Sequence, residues 1–184
     1  GFYREPVVVF MGRHPRTVAA FLGVLYAGCH YVPLDEEMPR HRVELIFQSL
    51  NPRCAVCDGG TAELLESFGW SGRVFLYNEA AAGSIDEAAL AAIRDGALDI
   101  GPAYIVFTSG STGVPKGVAA CHRSVIDYIE NLSTVLGFDG DTVFGNQTPL
   151  YFDACLKEIY PTLKFGATAY LIPKQLFMLP VKLV

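Results

Sequence analysis

The run Thr108-Ser109-Gly110-Ser111-Thr112-Gly113-Val114-Pro115-Lys116-Gly117 comes directly after the stretch Tyr104-Ile105-Val106-Phe107. The four apolar residues predict a strand. The run after them predicts a loop suited to an anion. Its three glycines let the backbone approach a ligand and adopt positive φ. Successive N–H groups in such a loop form a concave anion site. Thr108, Ser109, Ser111 and Thr112 add hydroxyl donors, and Lys116, held by Pro115 before it, adds a compact positive charge. Donors and a cation at the carboxyl end of a strand suit a polyphosphate, and that end is where open α/β sheets bind ligands. The run is not G-x-x-x-x-G-K-S/T, because Val118 and Ala119 come after Gly117, and it is not G-x-G-x-x-G. The bland alternative is a solvated Ser/Gly turn between strand and helix. The lysine and proline weigh against it.

Outward from the loop, short apolar runs alternate with helical spacing. Val7–Met11 predicts a buried strand. Val18, Phe21, Leu22 and Leu25 fall on one face of a helix over Thr17–Ala27, which Gly28 ends in a turn. Val43, Ile46, Phe47 and Leu50 repeat that spacing after Pro39. Arg53–Cys57 and Arg73–Tyr77 read as strands, and the alanine-rich Ile85–Arg94 as a helix. Val125, Ile126, Ile129, Leu132 and Leu136 mark a helix stopped by Gly137. Thr142–Asn146, Ala154–Lys164 and Ala167–Ile172 read as strand, helix and strand. This alternation predicts an α/β fold, a mostly parallel sheet with flanking helices.

Composition excludes several classes. The 184 residues carry 14 Lys plus Arg against 19 Asp plus Glu, a net charge of −5. Sequence-independent nucleic-acid binding, which needs clustered cations to release counterions, is not expected. With 51% apolar and 18% charged residues, the chain has enough surface to bury to offset its ordering entropy. The charge-free run between Arg16 and Asp35 is long enough to raise a membrane span. Thr17, Gly23, Gly28, His30 and Pro33 interrupt it, so no membrane partner is expected. Five cysteines and no secretory signal fit reduced thiols and a cytoplasmic location. Cys54-Ala-Val-Cys57 lacks the second pair of a zinc site, so no metal site is assigned and both read as small buried residues.

With these residues in view, Tyr104–Val118 resembles the phosphate-loop signature of the adenylate-forming superfamily, which includes acyl-CoA synthetases, luciferases and amino-acid adenylation domains. His122 falls where members often carry a histidine opening the next helix. Leu25-Tyr-Ala-Gly-Cys-His-Tyr-Val-Pro-Leu-Asp35 is similar to the K-A-G-x-x-Y-V-P-L-D motif of amino-acid adenylation domains, with Tyr26 in place of lysine, and Arg42 matches their usual arginine. Phe152-Asp153-Ala154-Cys155 resembles their F-D-x-S region, with Cys155 replacing serine. Asn146-Gln147 and Ile159-Tyr160-Pro161 look like D-alanine–carrier-protein ligases.

The resemblance implies a fragment, residues 1–184, of the large N-terminal AMP-binding domain of an adenylate-forming enzyme, with the C-terminal domain absent. It implies ATP and Mg²⁺ as cofactors and an amino acid as substrate. The product would be an aminoacyl adenylate, handed to the phosphopantetheine thiol of a carrier protein. Thr108, Ser109, Gly110, Ser111, Thr112, Gly113 and Lys116 would hold the phosphates. Thr112 and Lys116 would act in catalysis, Thr112 near the α-phosphate. Phe152, Asp153 and Lys157 would form the substrate side, Asp153 pairing with the α-ammonium. Asp153 also fits a helix N-cap. Lys157, four residues on, fits a local ion pair with it or a pocket lysine selecting an acidic or polar side chain.

The family's adenine-stacking, metal-binding and ribose-binding residues lie beyond this region, and Val181–Val184 reads as the start of an amphipathic helix. The 184 residues alone are therefore expected to show no amino-acid-dependent pyrophosphate exchange. An acyl- or aryl-CoA ligase fragment and a degenerate, non-catalytic binding piece are the alternatives.

Overall fold

The computed structural model describes residues 3–109, 113–177 and 181. The chain divides into two compact units, Gly1–Val125 and Ile126–Val184. In the first, β1 (Pro6–Phe10), β2 (His30–Leu34), β3 (Cys54–Cys57), β4 (Arg73–Leu76), β5 (Pro102–Thr108) and β6 (Lys116–Cys121) form one sheet in the order β4-β3-β1-β2-β5-β6. All neighbours are parallel except β5 and β6, which are antiparallel. This is the mostly parallel α/β sheet the alternation predicts.

Helices α1 (Pro15–Tyr26), α2 (Arg40–Leu50) and α3 (Gly59–Ser67) connect the first four strands. The direction of travel decides which face each covers. The step from β1 to β2 runs one way along the sheet, and the steps to β3 and β4 run the other. Right-handed crossovers then put α1 on one face and α2 and α3 on the other. Side chains agree. Val8, Phe10, Val32 and Leu34 pack with Val43 and Ile46 of α2 and Leu65 of α3. On the opposite face Phe21 of α1 stacks on Tyr31 at 4.3 Å.

Local sequence starts and stops these helices. His14 caps α1, its Nδ1 accepting from Arg16 N, and Pro15 supplies a pre-set first turn. Asp58 and Thr61 form a reciprocal capping box on α3. Gly28 ends the α1 segment at φ +71°, and a Cβ there would stand 2.6 Å from the Tyr3 ring. Two short helices, α4 (Tyr77–Ala81) and α5 (Glu87–Asp95), lead to β5.

Several elements differ from the sequence reading. The residues after Gly28 form the buried strand β2 and not a turn. Gly117–Cys121 extends into β6, so the glycine-rich loop joins two strands of a hairpin before α6 (His122–Leu136) begins. In the second unit, β7 (Val143–Asn146) pairs in parallel with β8 (Thr168–Leu171), joined through a 3-10 turn (Asp153–Cys155) and α7 (Leu156–Phe165), and α8 (Lys174–Phe177) comes last. The predicted helix start at 181–184 lies outside the described residues, apart from Val181. Among the described residues no helix is long and apolar enough to cross a membrane.

All five cysteines are free. Among the described residues no group of three or more His, Cys, Asp or Glu is placed to hold a metal. Burial pushes the Cys54 thiol up to about 11 and the Cys57 thiol to about 12. Cys121, half-buried and 3.5 Å from the Ser124 hydroxyl, is held below the ordinary thiol range by that contact. Iodoacetamide on the native chain is therefore expected to label Cys121 first and to leave Cys54 and Cys57 intact, read by peptide mass spectrometry. Burial of the pair also makes stability depend on pH. Unfolded thiols ionise near 9 and the folded pair well above it, so their contribution is complete below pH 9 and fades as pH rises from 9 towards 12.

Candidate active site

The loop sits at the carboxyl end of β5, as the sequence predicts. Arg42, near the start of α2, donates from Nη2 to the Phe107 carbonyl at 2.9 Å and braces the strand just before the loop opens. Thr108 pairs with Lys116 in the hairpin, its Oγ1 donating to the Lys116 carbonyl at 3.5 Å. Phe107 stands opposite Gly117, where a Cβ would meet Phe107 Cζ and Ile105 Cγ2 at 3.1 Å each. Glycine at 117 thus lets the two strands close beneath those side chains. Gly113 turns the chain at φ +79°, in the left-handed region that glycine tolerates without strain.

Thr108, Ser109 and Lys116 are exposed and Pro115 is buried. Lys116 makes no ion pair among the described residues, so its ammonium is open to an anion. Gly110, Ser111 and Thr112 lie outside the described residues. The structure brings Thr108, Ser109, Gly113 and Lys116 onto one hairpin tip. Beyond the hairpin, His122 opens α6, its N–H donating to the Gly101 carbonyl at 3.1 Å, and Arg123 grips Asp99 with two hydrogen bonds of 2.8 and 2.7 Å. Burial lowers the His122 pKa, with Asp99 pulling the other way.

The substrate-side residues belong to the second unit. Phe152 and Asp153 are both exposed, and the Phe152 ring packs against Tyr151 at 4.8 Å. Asp153 opens a 3-10 turn whose N-cap is Phe152, with no side-chain cap bond, and α7 begins only at Leu156. The N-cap role is therefore not observed. The tighter turn also removes the expected i,i+4 pairing, and Lys157 lies instead 3.6 Å from Glu158 Oε1. Sequence reading missed the polar pair that fixes this segment. Asn146, fully buried at the end of β7, donates from Nδ2 to Glu158 Oε2 at 2.8 Å. Asn146, closing an otherwise apolar strand, was the available signal.

The AMP-binding enzyme family model matches residues 3–184. The chain belongs to the AMP-binding enzyme family. Among curated proteins, this AMP-binding chain is 33% identical over 174 residues to a hybrid PKS-NRPS synthetase of Xenoacremonium sinensis, covering 92% of this chain and 4% of that protein. It is 32% identical to the D-alanine–D-alanyl carrier protein ligase of Lactiplantibacillus plantarum, covering 93% of this chain and 33% of the ligase. Among solved structures, a four-domain nonribosomal peptide synthetase bound to AMP and glycine superposes with a TM-score of 0.81 at 26% identity, over 100% of this chain and 13% of that one. The AMP-binding chain thus spans about a third of the ligase's length and far less of the synthetases.

Proposed function

We propose that this chain is the phosphate-loop part of an ATP-dependent ligase that activates an amino acid. The substrate carboxylate attacks the α-phosphate of ATP; its oxygen–phosphorus bond forms, the bond to the β-phosphate oxygen breaks, and pyrophosphate leaves with that electron pair. The aminoacyl carbon then passes to the phosphopantetheine thiol of a carrier protein: the carbon–sulfur bond forms, the bond to the adenylate oxygen breaks, AMP leaves with that electron pair, and the thiol proton passes to solvent. The carrying observation is the hairpin tip, where the Lys116 ammonium, without an ion pair among the described residues, and the left-handed Gly113 stand at the carboxyl end of β5. Thr108, Ser109 and Lys116 suit the phosphates, with Gly110, Ser111 and Thr112 completing the loop. The described residues of the loop include no carboxylate to hold Mg²⁺; when bound with ATP, the ion would neutralise phosphate charge. Asp153, exposed and uncapped, is assigned to the substrate ammonium, with Phe152 and Lys157 beside it.

The names of the relatives support an amino-acid substrate and a carrier-protein partner, and the five free cysteines support a cytoplasmic site of action. ATP–pyrophosphate exchange on the full-length protein tests the reading, using the twenty amino acids, D-alanine and matched carboxylic acids without an amino group. Exchange with one or a few amino acids is expected. Exchange only with acids lacking the amino group would move the protein to the acyl- or aryl-CoA ligases, and none at all to a non-catalytic role.

A further inference from the structure

At the other end of the first unit's sheet, the amino ends of β2 and β5 border a cavity of about 570 Å³. That size suits a small organic molecule. Leu25, Ile93, Leu98 and Ile100 give it apolar walls. Its polar lining is one-sided: Arg4, Arg94, His30 and His122 face it, and no lining residue is acidic, in a chain of net charge −5. Arg94 makes no ion pair among the described residues.

His30, the first residue of β2, is 6% exposed, yet its Nδ1 is buried with no hydrogen-bond partner. That nitrogen is closed off from the cavity's open space, so the charged contacts available to a ligand come from the two arginines. The cavity rim is firmly held. Arg4 sits at φ +56°, unusual for a residue with a side chain, with its N–H on the Gly28 carbonyl at 2.9 Å and its Nη2 on the Gly96 carbonyl at 3.2 Å. Tyr3, under the Arg4 guanidinium, lies against Gly28, where no Cβ could fit.

We propose that this cavity binds a small apolar monocarboxylate, its carboxylate facing Arg4 and Arg94 and its hydrocarbon or aryl body against the apolar wall. The site is separate from the phosphate loop and does not rest on the ligase reading. Its occupancy is tested by ¹H–¹⁵N NMR titration of the 184-residue chain with phenylacetate and 4-methylpentanoate, and with phenethylamine as the oppositely charged control. Saturable shifts at Gly28–His30 and Ile93–Gly101 are expected with both acids and not with the amine. Arg94→Gln, on an exposed residue that leaves the fold alone, should weaken binding about tenfold, the size expected for losing a hydrogen bond to a charge. Arg40→Gln, on the α2 surface, should change nothing. Absence of binding in the folded wild type, equal binding of phenethylamine, affinity untouched by Arg94→Gln, or shifts confined to Thr108–Lys116 or Phe152–Asp153 would each overturn the proposal.

Discussion

Replacing Lys116 with alanine is expected to cut ATP–pyrophosphate exchange by the full-length protein about 100-fold or more while leaving the melting temperature unchanged. The two halves of that expectation come from the same geometry. Lys116 is exposed and makes no ion pair among the described residues, so nothing described in the fold depends on its charge. Its backbone, by contrast, is fixed by pairing with Thr108, and Pro115 before it is buried. The ammonium is therefore presented from a fixed backbone, and the proposed role sets it against the phosphate charge that builds in the transition state. Removing one such preorganised group costs roughly 10²–10³ in rate. Arginine at 116 should restore only part of the activity, because a planar fork does not replace a compact point charge. Loss of exchange accompanied by unfolding, or exchange unaffected in Lys116→Ala, would remove Lys116 from the phosphate site.

The largest effect on stability is expected from Asn146→Leu. Asn146 is fully buried and donates to Glu158 Oε2, while Glu158 is 9% exposed and meets Lys157 only at 3.6 Å. Leucine would leave a buried carboxylate without its short donor, at a cost of about 3 kcal/mol. Pairing it with Glu158→Leu should return part of that loss, because no buried carboxylate is then left without its donor. Urea unfolding of the four proteins of this cycle gives the coupling directly. A single Asn146→Leu cost no larger than that of the double variant would mean that the bond contributes nothing beyond packing. The pair also joins the end of β7 to α7, so it spans the segment that carries Phe152 and Asp153.

Much of this architecture is legible in the sequence, and the exceptions have physical causes. β1, α1 and the glycine-rich loop announce themselves through a β-branched run, an apolar stripe and turn chemistry. β2 does not, because Pro33 sits inside a central strand where a missing N–H is normally excluded. The sheet tolerates it because the described β2–β5 register is confined to Tyr31 opposite Tyr104. β6 is hidden for another reason. It is an exposed edge strand built on Gly117, Ala119 and Ala120, which lack the branched side chains that mark strands. At the site, residue types alone lead to the proposed phosphate role of the loop, which the Lys116 variants test. The side-chain partners of Asp153 and Lys157 cannot, because a 3-10 turn replaces the α-helical spacing on which their pairing depends.

We propose that the full-length protein activates a carboxylate that carries an α-ammonium, with Asp153 receiving that ammonium. The most direct measurement is pyrophosphate exchange by the full-length wild type and its Asp153→Ala variant, each with the preferred amino acid and with the same acid lacking its amino group. Fast exchange by the wild type with the amino acid is predicted, with little for its des-amino partner and collapse of that preference in Asp153→Ala. Equal use of both acids by the wild type, or a preference that survives Asp153→Ala, would contradict it.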